Sequence, residues 1–282
     1  SPFAWRPWDC NYRRARYRHQ RCGEGGMTVN EVAAAARRRA VMVHCLTATV
    51  SMSLVADGLL AAGLRPMMTE TLEEAPVIVT AADALLVNLG TLSTDGMAGI
   101  PPTVAARPEE TPWVLDPTAI GLAPVRTRMA RELLDARPDI VKGNASEVLA
   151  LAGGKDGRGA DSADTPQHAA DAAIEVARRT GGVVVVSGPT DIVVTADGVA
   201  ERIARGHPMM ARVTGTGCLL GALAAGCLVT ADDAVEAAVA AVTWLDVAGE
   251  IAAARAGGPG SFRVQLLDAL DEAVTTGKEE AR

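Results

Sequence analysis

The stretch RVTGTGCLLGALAAG (212–226) places a glycine-rich turn directly before an apolar run of small residues. Gly215 and Gly217 let the backbone turn with little steric cost and let a ligand approach closely. We expect Thr214 or Thr216 to cap the helix that follows. The first N–H groups of such a helix have no partner within it and point one way, so the turn predicts an anion site.

Cys218 falls in the first turn of the same predicted helix. A thiol at a helix N-terminus can have a lowered pKa, which favours a chemical role. The alternative interpretation is a helix start with a small buried residue. The turn matches neither the P-loop nor the GxGxxG pattern, so it gives no support to the folds that carry those motifs.

The segment DIVKGNASEV (139–148) adds a cation and a carboxylate to the predicted site. Asn144 suits a helix N-cap, and Glu147 stands three residues later, as in a capping box. Capping does not explain Lys142, whose charge suits a phosphate, and Glu147 also suits Mg²⁺, directly or through water. Asp116, in LDP, could face the same metal, although Asp-Pro after a strand is usually only a turn.

Apolar runs that read as strands alternate with segments of helical spacing along most of the chain. This alternation predicts an α/β fold with a mostly parallel sheet covered by helices on both faces. Ligands bind such sheets beyond the carboxyl ends of the strands. The polar residues that follow the runs should therefore gather at one edge; they are Asn88, Asp116, Lys142 to Glu147, and Ser187.

Particular segments give the expected elements. Helices are predicted at 28–40, with Thr28 or Asn30 at the start, at 49–63, and nearly throughout 214–256. Strands are predicted within 41–46, 83–90, 113–117, 138–144 and 181–188, and 191–204 resembles two strands around Asp197-Gly198. Residues 153–166 have the composition of a flexible loop.

The composition excludes several classes of protein. A net charge of -7 argues against a general nucleic-acid binder, and no apolar run reaches the roughly 18 residues of a membrane span. The chain has no CxxC pair, which indicates a reduced, cytoplasmic protein without disulfides or structural zinc. Residues 1–26, rich in arginine and aromatics, are interpreted as a disordered extension or non-native start; a basic targeting arm is the alternative.

Two further positions have a structural and a functional interpretation. His44 lies in an apolar run, where a histidine is more often bonded to backbone in the core than a ligand. Met67 and Met68 could fill the core or form an adaptable wall of an apolar substrate pocket.

Taken together, the chain resembles the hydroxyethylthiazole kinase family of the ribokinase-like superfamily. The likeness covers 27 to about 273, and rests on the order and spacing of several segments. These are VHCLTATVSMSLVADGLLAAGLRPMM, ADALLVNLGTLS, VLDPTAIGLAPVRT, KGNASEV, VVVVSGPTD, GHPMMARVTGTGC and GPGSFRVQLLDAL. It implies a single three-layer kinase domain over residues 27–282 that uses ATP and Mg²⁺ to phosphorylate the hydroxyl of 4-methyl-5-(2-hydroxyethyl)thiazole in thiamin salvage.

The resemblance also implies a homotrimer with sites between subunits, and it assigns roles to matching positions. Met68 and Gly215 would contact the thiazole, and Lys142 and Ser187 the ATP. Cys218 matches the cysteine suggested as catalytic base. Gly215, Thr216 and Gly217 would form the anion hole, and Asp116 and Glu147 would bind the metal.

The chain departs from the family pattern near the expected substrate. It has Leu46-Thr47-Ala48 where ITN is common, Asp57 in ADGLLA where ANGLLA is common, and DPTAIG, with Ala119 and Ile120, where DPVGAG is common. Three alternatives remain open: a kinase of another small alcohol, such as a hydroxymethylpyrimidine or thiazole analogue; a non-catalytic ligand-binding homologue; and a reactive-cysteine enzyme built on Cys218.

Overall fold

The computed structural model of the chain describes residues 28–153 and 166–276. The expected extension at residues 1–26 lies outside the described residues, and so does the predicted loop 153–166 apart from its two ends. In the described part, strands and helices alternate, as the apolar runs predict.

The described residues contain eight strands and ten α-helices. The strands are β1 (Met42–Leu46), β2 (Arg65–Met68), β3 (Ala84–Asn88), β4 (Trp113–Asp116), β5 (Ile140–Asn144), β6 (Val183–Ser187), β7 (Asp191–Thr195) and β8 (Gly198–Ile203). The helices are α1 (Val29–Arg39), α2 (Met52–Ala61), α3 (Ala75–Ile78), α4 (Thr94–Ala106), α5 (Pro124–Leu133), α6 (Ala145–Leu151), α7 (Pro166–Thr180), α8 (Thr216–Leu228), α9 (Ala234–Arg255) and α10 (Pro259–Thr276).

All eight strands form one sheet in the order β2-β1-β3-β4-β5-β6-β7-β8. Strands β1 to β6 run parallel, and β7 and β8 are antiparallel additions at one end. The hairpin expected around Asp197-Gly198 is therefore present, and Gly198 pairs with Thr195. The predicted mostly parallel α/β sheet is confirmed.

Helices cover both faces of the sheet, because alternate strand residues feed two separate apolar cores. Val43 and Cys45 of β1 belong to one core, with α1, α2, α8, α9 and α10. Leu46 and, from β3, Leu85 belong to the other, with helices α3 to α7. The result is three layers, helix, sheet and helix, with buried strands that account for the continuous apolar runs in the sequence.

Several elements were not predicted from the sequence, among them strand β2 and helix α4. Strand β2 contains Pro66, which a strand tolerates because β2 is the edge of the sheet and needs fewer N–H donors. Helix α4 continues through Pro101 and Pro102. Further along α4, Thr103 is fully buried and donates its hydroxyl to the carbonyl of Gly99 at 2.7 Å.

The start of helix α1 and the end of helix α2 have the local signals that the sequence predicts. Thr28 caps α1 in a capping box with Glu31, as the sequence indicates. Gly63, with φ +79°, follows the end of α2, which is the left-handed geometry that glycine favours.

One of the described helices, α9, is long and apolar enough by length and composition to cross a membrane. Most of it is buried, and it contacts α1, α8 and α10 as well as strands β6 to β8. These contacts are typical of a core helix.

Candidate active site

The carboxyl ends of the parallel strands bring the expected polar residues to one edge of the sheet. Asn88 at the end of β3 pairs in register with Asp116 at the end of β4. Asn144 at the end of β5 pairs with Ser187 at the end of β6. Because parallel strands end at the same edge, four positions that are distant in the sequence lie side by side.

The centre of this edge is a buried ion pair between Lys142 and Asp116. Lys142 Nζ lies 3.4 Å from Asp116 Oδ2, and the exposed fractions of the two side chains are 7% and 0%. Burial alone would lower the pKa of the Lys142 ammonium, but the negative charges of Asp116 and Glu147 outweigh it and raise that pKa. Lys142 is therefore a fixed positive charge inside the protein.

Neutral donors hold both oxygens of the Asp116 carboxylate. Asn88 Nδ2 donates to Oδ2 at 2.8 Å, and Thr118 Oγ1 donates to Oδ1 at 2.7 Å. Three donors, counting Lys142, therefore stabilise this buried charge.

Glu147 joins helix α6 to the loop after β4. Its Oε2 accepts from the N–H of Asn144, and Asn144 Oδ1 accepts from the N–H of Glu147 at 2.9 Å, so the predicted capping box is present. Its Oε1 accepts from the N–H of Ala119 at 2.8 Å. Burial raises the pKa of the Glu147 carboxyl, and the two N–H groups and Lys142 oppose that rise.

The glycine-rich turn begins helix α8, but its threonines do not cap it. Gly215 is the N-cap, with φ +100°, and among the described residues no side chain caps the first turn. The prediction that Thr214 or Thr216 would cap is therefore wrong. Thr216 is the first helical residue, and its hydroxyl donates to the carbonyls of Met210 and Val213 in the preceding segment.

The backbone at both glycines is closely approached. A Cβ at Gly215 would lie 2.9 Å from Ser51 Cβ, and a Cβ at Gly217 would lie 3.0 Å from Lys142 Nζ. One turn further along α8, a Cβ at Gly221 would lie 3.7 Å from Asp116 Oδ2. The uncapped end of α8 therefore faces the buried ion pair.

Cys218 is half-buried in the first turn of α8, beside Ser51, Asn88 and the ion pair. Burial and the Asp116 charge raise the pKa of its thiol, while hydrogen bonds from Ser51 and Asn88 and the charge of Lys142 oppose the rise. The pKa is therefore not lowered as it can be at a helix N-terminus, because burial and a carboxylate from another strand outweigh the helix end.

The other sequence candidates lie around this centre. Ser187 Oγ donates to the carbonyl of Gly143 at 3.4 Å, at the end of β6. Met68 ends β2, pairs with Cys45 and packs half-buried against the core that includes α8. His44 is fully buried with its Nε2 3.0 Å from the carbonyl oxygen of Thr69, so the core interpretation is confirmed.

Sequence reasoning missed two residues of the site, Thr118 and Ser51. Thr118 stands two residues after the strand-end Asp116, and that spacing was the available signal. Ser51 carries no signal in the sequence, because it reaches Cys218 only through the packing of α2 on α8.

The chemistry of the donor set fits Mg²⁺. Within the described residues, no group of three or more His, Cys, Asp or Glu side chains could hold a metal alone. Asp116 and Glu147 each accept hydrogen bonds on both oxygens, which leaves few lone pairs for direct contact. Mg²⁺ usually keeps several waters and binds through one or two carboxylates and substrate phosphates, so this pair suits it.

Comparison with known proteins first defines the class. A ribokinase-like superfamily protein from Enterococcus faecalis superposes with a TM-score of 0.59 at 15% identity, covering 90% of this chain and 99% of that one. The fold is therefore ribokinase-like.

More similar proteins define the family. Residues 34–276 match the model of the hydroxyethylthiazole kinase family. A hydroxyethylthiazole kinase from Kineococcus radiotolerans is 47% identical over 241 residues, covering 84% of this chain and 87% of that protein. The structure of the Pyrococcus horikoshii hydroxyethylthiazole kinase has a TM-score of 0.79 at 31% identity, over 86% of this chain and 92% of that one. The chain belongs to the hydroxyethylthiazole kinase family.

Proposed function

We propose that this protein transfers the γ-phosphoryl group of ATP to the hydroxyl of 4-methyl-5-(2-hydroxyethyl)thiazole, in thiamin salvage. The observation that carries the proposal is that the uncapped first turn of α8 lies beside the Lys142 ammonium. Helix N–H groups and a fixed cation at one point suit a phosphoryl group, and phosphoryl transfer depends mainly on positioning and charge neutralisation.

Each predicted site residue has a role in this reaction. Lys142 binds the ATP phosphates, and Ser187 contributes to the nucleotide site. Gly215, Thr216 and Gly217 present N–H groups to the transferring group. Met68 and Gly215 contact the thiazole. Asp116 and Glu147 would hold Mg²⁺ together with its waters, and the bound ion would supply charge neutralisation on the phosphates.

Cys218 positions the acceptor alcohol. A thiol with a raised pKa is protonated at neutral pH, so it acts by orienting the hydroxyl and excluding water. In a loose transition state the attacking oxygen needs little early deprotonation. The oxygen–phosphorus bond forms as the bond to ADP breaks, and the hydroxyl proton leaves late, to an oxygen of the transferred group.

We further propose a cytoplasmic homotrimer with the thiazole site between subunits and with no nucleic-acid or membrane partner. The trimer is supported by large apolar side chains that are exposed, as in a surface that another subunit covers. They lie close in sequence to edge strand β2 or its neighbour β1, and they are Val50, Leu72 and Val77. Sedimentation equilibrium gives the oligomeric state directly; a monomer at micromolar concentration would contradict the trimer.

A coupled ADP-release assay tests the reaction, with ATP, Mg²⁺ and either hydroxyethylthiazole, hydroxymethylpyrimidine or no acceptor. We expect ADP release that depends on the thiazole. Release with the pyrimidine alone would move the substrate to another small alcohol. No release from a folded protein that binds ATP would indicate a non-catalytic homologue.

A further inference from the structure

His44 joins an interior strand of the sheet to the chain that follows Met68. It stands in the middle of β1, paired in register with Met67 of β2 on one side and with Leu85 of β3 on the other. Its side chain is fully buried, and its Nε2 lies 3.0 Å from the carbonyl oxygen of Thr69. Because strands lie on both sides of His44, this residue is held firmly and can fix a neighbour that is held less firmly.

The strand that ends at Met68 has few bonds of its own. Strand β2 has four residues, lies at the edge of the sheet and contains Pro66, which has no N–H to donate. Its pairing with β1 ends at Cys45 and Met68. The ends of elements are where a protein opens locally at the least cost in free energy. The bond from His44 to Thr69 extends the attachment of β2 one residue beyond its last pair.

This bond uses only one of the two ring nitrogens of His44. A carbonyl oxygen accepts and cannot donate, so the ring proton lies on Nε2. Nδ1 is buried and, in the described part of the chain, has no hydrogen-bond partner. Burial lowers the pKa of the imidazole, against the Thr69 carbonyl, which raises it, so the ring is neutral at neutral pH. A side chain that supplies one neutral N–H donor at the position of Nε2 should therefore serve as well as histidine.

Helix α4 and its N-cap, Ser93, hold the chain further from Met68. Ser93 Oγ donates to Glu70 Oε1 at 2.7 Å. An added Cβ at Gly99 would collide with the carbonyl oxygen of Glu70, so the two backbones are in close contact. These contacts fix the chain from Glu70 onward, and His44 is the anchor that lies nearer to Met68.

We infer that His44 is a positioning residue for the acceptor substrate. By holding the carbonyl of Thr69 it fixes the end of β2, and thereby keeps Met68 against the thiazole ring. Met68 packs half-buried against the core that includes α8, the helix whose first turn meets the phosphoryl group. The inference deepens the proposed function, and rests on it for the identity of the acceptor and for the contact that Met68 makes.

His44→Leu tests the inference, because leucine suits a buried position and donates no hydrogen bond. We expect the KM for the acceptor to rise by about 10-fold, the lower end of what one apolar contact in a substrate pocket contributes. Met68 contacts the ring in the ground state and in the transition state alike. The kcat, and the KM for ATP, should therefore stay within about twofold of the parent values.

Two further variants separate positioning from stability. His44→Gln places an amide N–H near the position of Nε2, and should return the KM for the acceptor to within about twofold of the parent value. Trp244→Phe is the matched control, because Trp244 Nε1 donates to the carbonyl of Leu270 at 3.0 Å, between α9 and α10. It removes a buried ring N–H bond of the same length, and should lower Tm without changing the KM for the acceptor.

Met68→Ala identifies the residue through which His44 acts. Residues that act through one another have effects that do not add. In a protein that already carries Met68→Ala, adding His44→Leu should therefore raise the KM for the acceptor by less than about twofold. A rise as large as in the parent background would show that His44 does not act through Met68, and would overturn the inference.

The inference is also overturned if the KM of His44→Leu for the acceptor equals that of the parent protein, or if His44→Gln fails to recover it. Hydrogen exchange provides a measurement that needs no turnover. The backbone N–H groups of residues 69–75 should exchange faster in His44→Leu than in the parent protein and in His44→Gln. If the parent protein phosphorylates no thiazole, the proposed function fails separately, and unchanged exchange in this segment would still show that His44 is not its anchor.

Discussion

The backbone of Gly217 faces the ammonium of Lys142 so closely that an added Cβ would lie 3.0 Å from Nζ. Gly217 stands in the uncapped first turn of α8, which carries partial positive charge, and Lys142 stands on β5 with full charge. The carboxylate of Asp116 behind Lys142 keeps that charge in place. Two positive groups of different origin therefore converge on one small space.

Gly217→Ala should separate activity from stability. Alanine favours a helix over glycine by about 1 kcal/mol, so we expect Tm to be unchanged or raised. The added methyl group displaces the ammonium and fills the space of the phosphoryl group, so we expect kcat to fall by roughly 10-fold, or about 1.4 kcal/mol of transition-state stabilisation.

Gly260→Ala in the first turn of α10 is the control for this glycine, because nothing lies near its added Cβ. It should leave kcat unchanged. Steady-state kinetics and a thermal melt of both variants suffice. A Gly217→Ala protein with the parent kcat would show that the end of α8 does not meet the phosphoryl group.

Cys218→Ser should lower kcat more than it changes KM, because the thiol orients the acceptor alcohol during the transfer itself. We expect a loss of about 10²-fold, the size of effect that a misplaced acceptor can have on the rate. Cys227→Ala, in the same helix and fully buried, should cost stability and leave kcat unchanged. An unchanged kcat in Cys218→Ser would remove this residue from the mechanism.

The sequence was sufficient to predict most of the residues that meet at the site, because one rule places them. Parallel strands end at one edge, so a polar residue after each apolar run reaches the same place, as Asn88, Asp116 and Lys142 do. The capping box of Asn144 and Glu147 depends only on residues that are close in sequence, so it could be predicted without knowing the tertiary structure.

What the sequence could not predict depends on contacts between distant segments. The raised pKa of Cys218 comes from burial and from the charge of Asp116, and neither can be predicted from the sequence of α8 alone. The hydroxyl of Thr216 serves the preceding segment, and a pattern of residue types cannot decide between that use and a helix cap. Thr118 acquires its role only because Asn88 lies on the neighbouring strand.

Ala119→Gly should stabilise the protein. Ala119 has φ +61°, a left-handed conformation that costs a residue with a Cβ roughly 1–2 kcal/mol. Glycine removes that cost and keeps the N–H that donates to Glu147. Glycine also increases the conformational entropy of the unfolded chain, which offsets part of the gain in stability. We expect a net gain of about 1 kcal/mol, or about 2–4 °C in Tm.

The conformation also explains why glycine is common at this position of DPVGAG. The control is Ala105→Gly on the exposed face of α4, which should lower Tm because glycine disfavours helix. Equal losses of Tm in the two variants would show that the backbone at Ala119 is not strained.

The stability of the protein should depend on pH through a buried carboxyl pair, Asp246 on α9 and Asp191 at the start of β7. Their exposed fractions are 5% and 7%. Burial, then the charges of Asp191 and Glu250, raise the pKa of Asp246 from 3.8 to about 7, against the opposing charge of Arg205. Burial also raises the pKa of Asp191, which the N–H of Gly188 and the charge of Lys142 oppose.

Between pH 3.8 and about 7, the folded protein holds a proton on Asp246 that the unfolded chain has released. The free energy of unfolding therefore falls as the pH rises through this range. Asp246→Asn has no proton to lose and can still bond to Asp191. We expect the Tm of Asp246→Asn, relative to that of the parent protein, to increase between pH 5 and pH 8. The increase should be about 2–4 °C for each kcal/mol of stability that the parent protein loses.

Thermal melts at several pH values measure this difference in Tm, with Asp197→Asn in the exposed hairpin turn as the control. If the difference in Tm between Asp246→Asn and the parent protein is the same at pH 5 and pH 8, Asp246 is ionised in the folded protein across that range, and the pH dependence has another source.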